Sequence, residues 1–99
     1  MSYEVRFAPA AADDLNRLVE FLAENDVNAS ARARLAMSEA LKLLSLFPFS
    51  CRKASAENPF LREMVITFGR DGYVALFEIE DANVMTVLSV RHQREDDYH

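Results

Sequence analysis

The last eleven residues, SVRHQREDDYH (89–99), concentrate groups able to move protons or hold charge: Arg91 and Arg94, His92 and His99, Glu95, Asp96 and Asp97, and Tyr98. Histidine titrates near neutral pH, arginine grips phosphate as a permanent cation, and a tyrosine ring can stack on a nucleobase. Were the segment helical, His92, Glu95 or Asp96, and His99 would share one face at spacings that a metal tolerates. His99 ends the sequence, where chains fray, and no second cluster of ligand-type residues stands upstream, so neither a metal centre nor any cofactor is expected. Cys51 is the only cysteine, which excludes an intrachain disulfide and any CxxC zinc framework; it reads as a loop or core residue. Gly69 and Gly72, the only glycines, sit in a turn and build no phosphate loop, and no serine stands in a nucleophile turn.

A second group of charges lies mid-chain. Formal net charge is −5, which excludes a generic polyanion binder, because such domains carry a basic excess. The sum hides a gradient: residues 1–26 hold six acids and two bases, residues 27–70 three acids and seven bases, and residues 71–99 seven acids and two bases. Any contact with nucleic acid or another anionic target therefore depends on a patch that folding assembles from Arg52, Lys53, Arg62 and Arg70, joined by Arg91 and Arg94. Arg52-Lys53 reads first as a solubilising surface pair and second as a phosphate contact.

The elements that must position these side chains follow from periodicity. Tyr3, Val5 and Phe7 alternate with Glu4 and Arg6, the pattern of a strand with one buried face. Pro9 suits the first turn of a helix whose apolar stripe runs through Ala11, Leu15, Leu18, Val19 and Leu22, with Asp13 and Asp14 favouring the positive end of its dipole. After Asn25-Asp26, a second stripe runs through Ala33, Ala36 or Met37, Ala40, Leu44 and Phe47 until Pro48 stops it, which gives a helical hairpin. Residues 48–59 have no sustained period and read as a surface loop bracketed by Phe47, Phe49 and Phe60. Those rings either pin the loop to the core or form an apolar rim suited to a partner's peptide.

Three strands complete the chain: 60–68, 72–80 and 83–91, joined by a turn holding Asp71-Gly72 and by the short polar turn at residues 81–83. VMTVLSV is apolar on nearly both faces and marks a central strand. The order β-α-α-β-β-β describes an α+β, two-layer domain spanning residues 1–99, an antiparallel sheet with the helical hairpin packed on one face. No stretch approaches a membrane span and the N-terminus lacks a signal peptide, so the protein is expected to be cytoplasmic.

Four segments, VRFAPAAADDL, LLSLFP, LREMVITFGRDGYVALFEI and VLSVRHQREDDY, resemble the RelE/ParE toxins of bacterial type II toxin–antitoxin modules, which include proteins of the plasmid-stabilisation type. The resemblance implies a growth inhibitor neutralised by a cognate antitoxin in a hetero-oligomer, with DNA gyrase or the ribosome and its mRNA as target. Ala8 departs from the Ser or Thr these proteins often carry as helix cap, at a cost of about 1 kcal/mol. The acidic balance and the presence of only two lysines, Lys42 and Lys53, bring the chain nearer the ParE-like, gyrase-directed members than the basic, mRNA-cutting ones.

Metal-independent RNA cleavage needs a base for the ribose 2′-proton, cations for the developing phosphate charge and an acid for the leaving oxygen. By analogy with RelE-like nucleases, Arg62 and Arg91 would hold phosphate, Glu63 or His92 would be base or acid, and Tyr98 would stack on a base. The structural alternative makes Arg62 and Glu63 a solvated strand pair and Arg91 a salt-bridge partner of an acid on a neighbouring strand. Functionally, a gyrase-directed toxin stands first, a ribosome-dependent mRNA endoribonuclease second, and a non-toxic relative that only binds an antitoxin third.

Overall fold

The computed structural model describes residues 2–68 and 71–92. Strand β1 (Glu4–Phe7) leads into helices α1 (Pro9–Asn25) and α2 (Val27–Leu46). A 3-10 turn (Pro48–Ser50) and the short strand β2 (Arg52–Lys53) follow, then β3 (Leu61–Phe68), β4 (Asp71–Ile79) and β5 (Val84–His92). The sheet runs β1-β5-β4-β3-β2.

The expected antiparallel meander is present in β3, β4 and β5. The sheet as a whole is mixed, because β1 joins the β5 edge in parallel and β2 adds two residues antiparallel to the β3 edge. Parallel pairing of the first strand follows from its connection: the helical hairpin lies between β1 and the meander, so no tight hairpin forces antiparallel entry. The Asp71-Gly72 pair does not form the turn; both residues already pair within β4, opposite Phe68 and Thr67. Gly69 and Arg70, which separate the paired strands, lie outside the described residues.

Pro9 opens α1 behind Ala8, whose side chain gives no capping hydrogen bond. Asp13 and Asp14 fall beyond the first turn, so they are not the dipole partners their sequence position suggested. Asp26 ends α1 and caps α2, its Oδ1 accepting from the Asn28 N–H at 2.9 Å, so the helices meet with no intervening loop. Buried Ser30 ties the two together, its hydroxyl donating to the Val19 carbonyl at 3.3 Å.

One face of the sheet carries the core. Ile66, Tyr73, Ala75, Phe77, Ile79, Met85, Val87 and Val90 pack with Ala11, Leu18, Met37 and Leu44 of the helices. Alternation on β4 separates this set from Val74, Leu76 and Glu78, which project to the opposite face. A bulge at the Leu76/Phe77 step, where β5 carries the additional Leu88, lets Met85, Val87 and Val90 all reach the buried side. Phe47 departs from the predicted stripe: it is the residue after α2 and is 58 % exposed.

Candidate functional site: the outward face of the sheet

Arg62 and Glu63 are consecutive on β3 and therefore project to opposite faces. Arg62 lies in register with Phe77, Glu63 with Leu76 and, beyond it, Ser89. Arg52 of β2 is aligned with Glu63. Arg91 lies opposite Val74, one position diagonal from the Leu76 row, on the same outward face as Glu63.

Glu63 is the centre of this face. One carboxylate oxygen accepts from Arg52 Nε at 3.2 Å and the other from Arg91 Nη2 at 3.2 Å. Glu63 and Arg91 have side chains only 18 % and 24 % exposed, whereas Arg52 reaches into solvent at 56 %. The Glu63–Arg91 pair spans β4 at Leu76 and Val74, so it joins β3 to β5. Both carboxylate oxygens are thus occupied as acceptors by guanidiniums within the fold. The three groups form a surface with one net positive charge, its arginines held in fixed positions.

Arg62 does something else. Its Nε donates to the Pro59 carbonyl at 2.7 Å, and Nη1 donates to the carbonyls of Cys51 at 2.9 Å and Phe49 at 3.2 Å. The guanidinium also stacks 5.3 Å from the Phe49 ring centroid. The planar five-donor fork suits such a task, since it satisfies three carbonyls of an irregular segment that has no ladder to receive them. Arg62 is thus the pin of the 48–60 loop, a role expected of the phenylalanines. Phe49 and Phe60 are instead 47 % and 48 % exposed and meet edge to face at 6.2 Å.

His92 lies opposite Tyr73 and packs edge to face on its ring at 5.6 Å, on the helix-covered side. Arg91 and His92, adjacent in sequence, therefore face opposite ways. Arg62 and His92 share a face but stand in rows Phe77 and Tyr73, four residues apart on β4, or roughly 13 Å. Lys53 pairs in register with Arg62 and is exposed. Arg70, Arg94 and Tyr98 lie outside the described residues, as do Glu95, Asp96 and His99.

One contact that sequence reasoning missed positions this end of the site. Asp14 of α1 accepts the Val90 N–H at 3.1 Å, next to Arg91, and its other oxygen lies 3.6 Å from Arg17 Nη2. Strand β1 covers β5 only through Val87, so a side-chain acceptor takes over where the parallel ladder ends. No local signal could reveal it, because the partners are 76 residues apart. Near the loop, burial pushes the Cys51 thiol pKa up, opposed by the Arg62 charge and a hydrogen bond with Ser50.

A family model described as the ParE toxin of type II toxin–antitoxin systems, parDE, matches residues 5–97. The chain belongs to this family. A relative within reach by sequence is Toxin RelE1 of Caulobacter vibrioides, 32 % identical over 84 residues that cover 85 % of this chain and 87 % of the relative. The fold also matches a solved chain of the chromosomal ParDE TA system from P. aeruginosa, with a TM-score of 0.69 at 17 % identity, covering 92 % of this chain and 96 % of that one. Order and layers of this ParE-family chain, two helices laid over a meander with a preceding strand, are those of that relative. Among the described residues no helix is long and apolar enough to cross a membrane.

Proposed function

We propose that this chain is the growth-arresting toxin of a two-protein module in the cytoplasm, that it acts by binding DNA gyrase, and that a cognate antitoxin neutralises it. The observation that carries the gyrase reading is the divergence of Arg62, Arg91 and His92. General acid–base cleavage of RNA requires its base, acid and phosphate-holding cations to converge on one scissile bond within hydrogen-bond reach. Here Arg62 is committed to three loop carbonyls, His92 packs on Tyr73 on the core side, and Arg91 lies on the other face against Glu63. Such an arrangement supports recognition of a target surface by Arg52 and Arg91 better than it supports turnover.

An antitoxin has apolar surface to cover. Leu35, Leu43 and Leu46 lie on the side of α2 away from the core and are 61 %, 56 % and 50 % exposed. A groove between the helices is lined by Leu15, Val19, Met37 and Leu41. Strand β2 covers β3 only at Arg62 and Glu63, so the outer edge of β3 from Met64 onward meets no strand among the described residues. A flexible segment that folds as helix along the first surface or as strand along the second would bury them.

The endoribonuclease reading stands second. It draws on the contact between Glu63 and Arg91, an acid and a cation that RNA cleavage uses, and on the relative named Toxin RelE1. Induced expression in a bacterial host with parallel pulse labelling of DNA and protein separates the two. Early loss of DNA synthesis with a DNA-damage response, relieved by the product of the adjacent reading frame, is expected. Early collapse of protein synthesis would replace the gyrase reading with the nuclease one, and unimpaired growth with soluble protein would leave only antitoxin binding.

A further inference from the structure

We propose that the acidic segment following β5, residues 93–99 with Glu95, Asp96 and Asp97, folds back onto the outward arginine face and occupies Arg52 and Arg91 until a target displaces it. The inference rests on the reading of that face as a contact surface, whichever target the face recognises.

Strand β5 delivers the segment to the right side of the sheet. It ends at His92, one residue past Arg91, so the acids begin three residues beyond the strand. The helical hairpin packs on the other face, and at this end Asp14 of α1 is bonded to the Val90 N–H. Among the described residues no helix lies over the outward face, which leaves it open to a chain that turns back. Arg52 stands in the row of Ser89, three strand spacings from β5, or roughly 14 Å across the sheet and about 10 Å back along it. Glu95, Asp96 and Asp97, three to five residues past His92, reach roughly 10–18 Å in extended chain, and the side chains close the remainder.

Charge chooses between this face and the other cations. Residues 93–99 hold three acids and one arginine, a net charge of −2, against the net +1 of Arg52, Arg91 and Glu63. Arg52 donates to Glu63 through Nε and is 56 % exposed, so donors of its fork remain turned to water, with exposed Lys53 beside it. Elsewhere among the described residues Arg6 and Arg17 are paired with Glu4 and Asp14, Arg62 is committed to three carbonyls, and Arg32 and Arg34 belong to the helical layer. Exposed ion pairs are individually weak, but a tether of a few residues sets an effective concentration of the order of millimolar. The contact therefore forms within one chain and yields to a surface of denser negative charge. The segment acts as a built-in competitor that rejects weakly acidic partners.

The test places a nitroxide on the segment. In the Cys51→Ala background the label is carried by His99→Cys, and amide relaxation is read in the isotope-enriched full chain at low salt. Enhanced relaxation at Arg52 and Glu63 is expected. It should fall at least about threefold at about 1 M salt, where the screening length is about 3 Å, and in the Glu95→Gln/Asp96→Asn/Asp97→Asn variant. Enhancement confined to β5 and the adjoining end of β4, or enhancement at Arg52 that neither salt nor the variant reduces, would overturn the proposal. So would the same effect on enriched, unlabelled chain mixed with spin-labelled, unenriched chain, since it would give the contact to a second copy. Competition reads the consequence: a blocked hexaglutamate peptide should bind the neutralised variant at least about threefold more tightly than it binds Glu20→Gln/Glu24→Gln/Glu39→Gln. That control has the same net charge, with its changes at exposed positions of the helices. Equal affinity of the two variants would also overturn the proposal. None of these readouts involves gyrase, so their failure leaves the gyrase reading to its own experiment.

Discussion

Arg62 and Glu63 stand side by side on β3, yet one faces inward to serve the fold and the other outward to a surface. Arg62 closes an irregular loop by satisfying three carbonyls; Glu63 holds two arginines that belong to β2 and β5. An ionic residue that completes backbone hydrogen bonding is costly to remove, because the carbonyls lose their partner. An ion pair at the surface contributes little to stability and leaves its charges available to a partner. The contrast gives two roles to neighbouring residues that a motif would treat as one site.

The largest break in that contrast should come from Arg62→Ala, which is expected to lower stability by about 2–3 kcal/mol as the 48–60 loop loses its pin. Denaturant unfolding measures it. Arg62→Lys sharpens the result, since it keeps the charge and loses the fork; recovery of less than half the loss is expected. Full recovery by lysine would mean that charge, not the three carbonyls, fixes the loop.

Asp14→Ala should cost about 1–2 kcal/mol, because the Val90 N–H is left without its acceptor at the point where β1 stops covering β5. Amide exchange at Val90 should accelerate along with the change in stability; unchanged protection would show that the contact is dispensable. Glu63→Gln should alter stability by about 1 kcal/mol or less, since Arg52 is solvent-exposed and the amide oxygen can still accept from half-buried Arg91. Its effect belongs to function: Arg52 and Arg91, released from the carboxylate, should bind an anionic target more tightly and with steeper salt dependence. Weaker target binding by this variant would show that Glu63 makes the contact itself.

The smallest effect concerns Cys51, beside the loop that Arg62 pins. Its folded thiol has a pKa above the ordinary value, so the folded state holds a proton that the unfolded state releases as pH rises past about 9. The sign follows: this contribution is fully present below the unfolded pKa and is lost as pH climbs through the folded one. Unfolding midpoints measured from pH 7 to 10 should fall slightly in the upper part of the range, and Cys51→Ala should remove that slope. A thiol that alkylates at pH 8 as fast as a free cysteine would contradict its shielding.

Much of the architecture was legible because its cause is local. Helix stripes through Ala11, Leu18, Met37 and Leu44, the cap without a hydroxyl at Ala8, and three apolar strands all follow from spacing and residue type. What was not legible depends on distance. The parallel entry of β1, the two-residue β2 and the bulge at Leu88 arise from how the sheet closes, and no local pattern encodes them. The site was harder still. LRE announces a cation beside an acid, but only the register decides that Arg62 turns to the loop and Glu63 to Arg52 and Arg91. The same alternation parts Arg91 from His92, which sequence proximity had joined. Asp14 carried no mark of its role, since its partner Val90 is made near by folding alone.

On the function proposed above, the outward arginine surface recognises gyrase and performs no cleavage. The most direct test measures gyrase supercoiling in vitro with the purified chain and with the Arg52→Ala/Arg91→Ala variant, its folding verified by an unchanged melting temperature. Inhibition by the native chain is expected, with a loss of about tenfold or more in the variant and message on programmed ribosomes left intact by both. Undisturbed supercoiling at micromolar native protein, together with cut message that the variant spares, would contradict it.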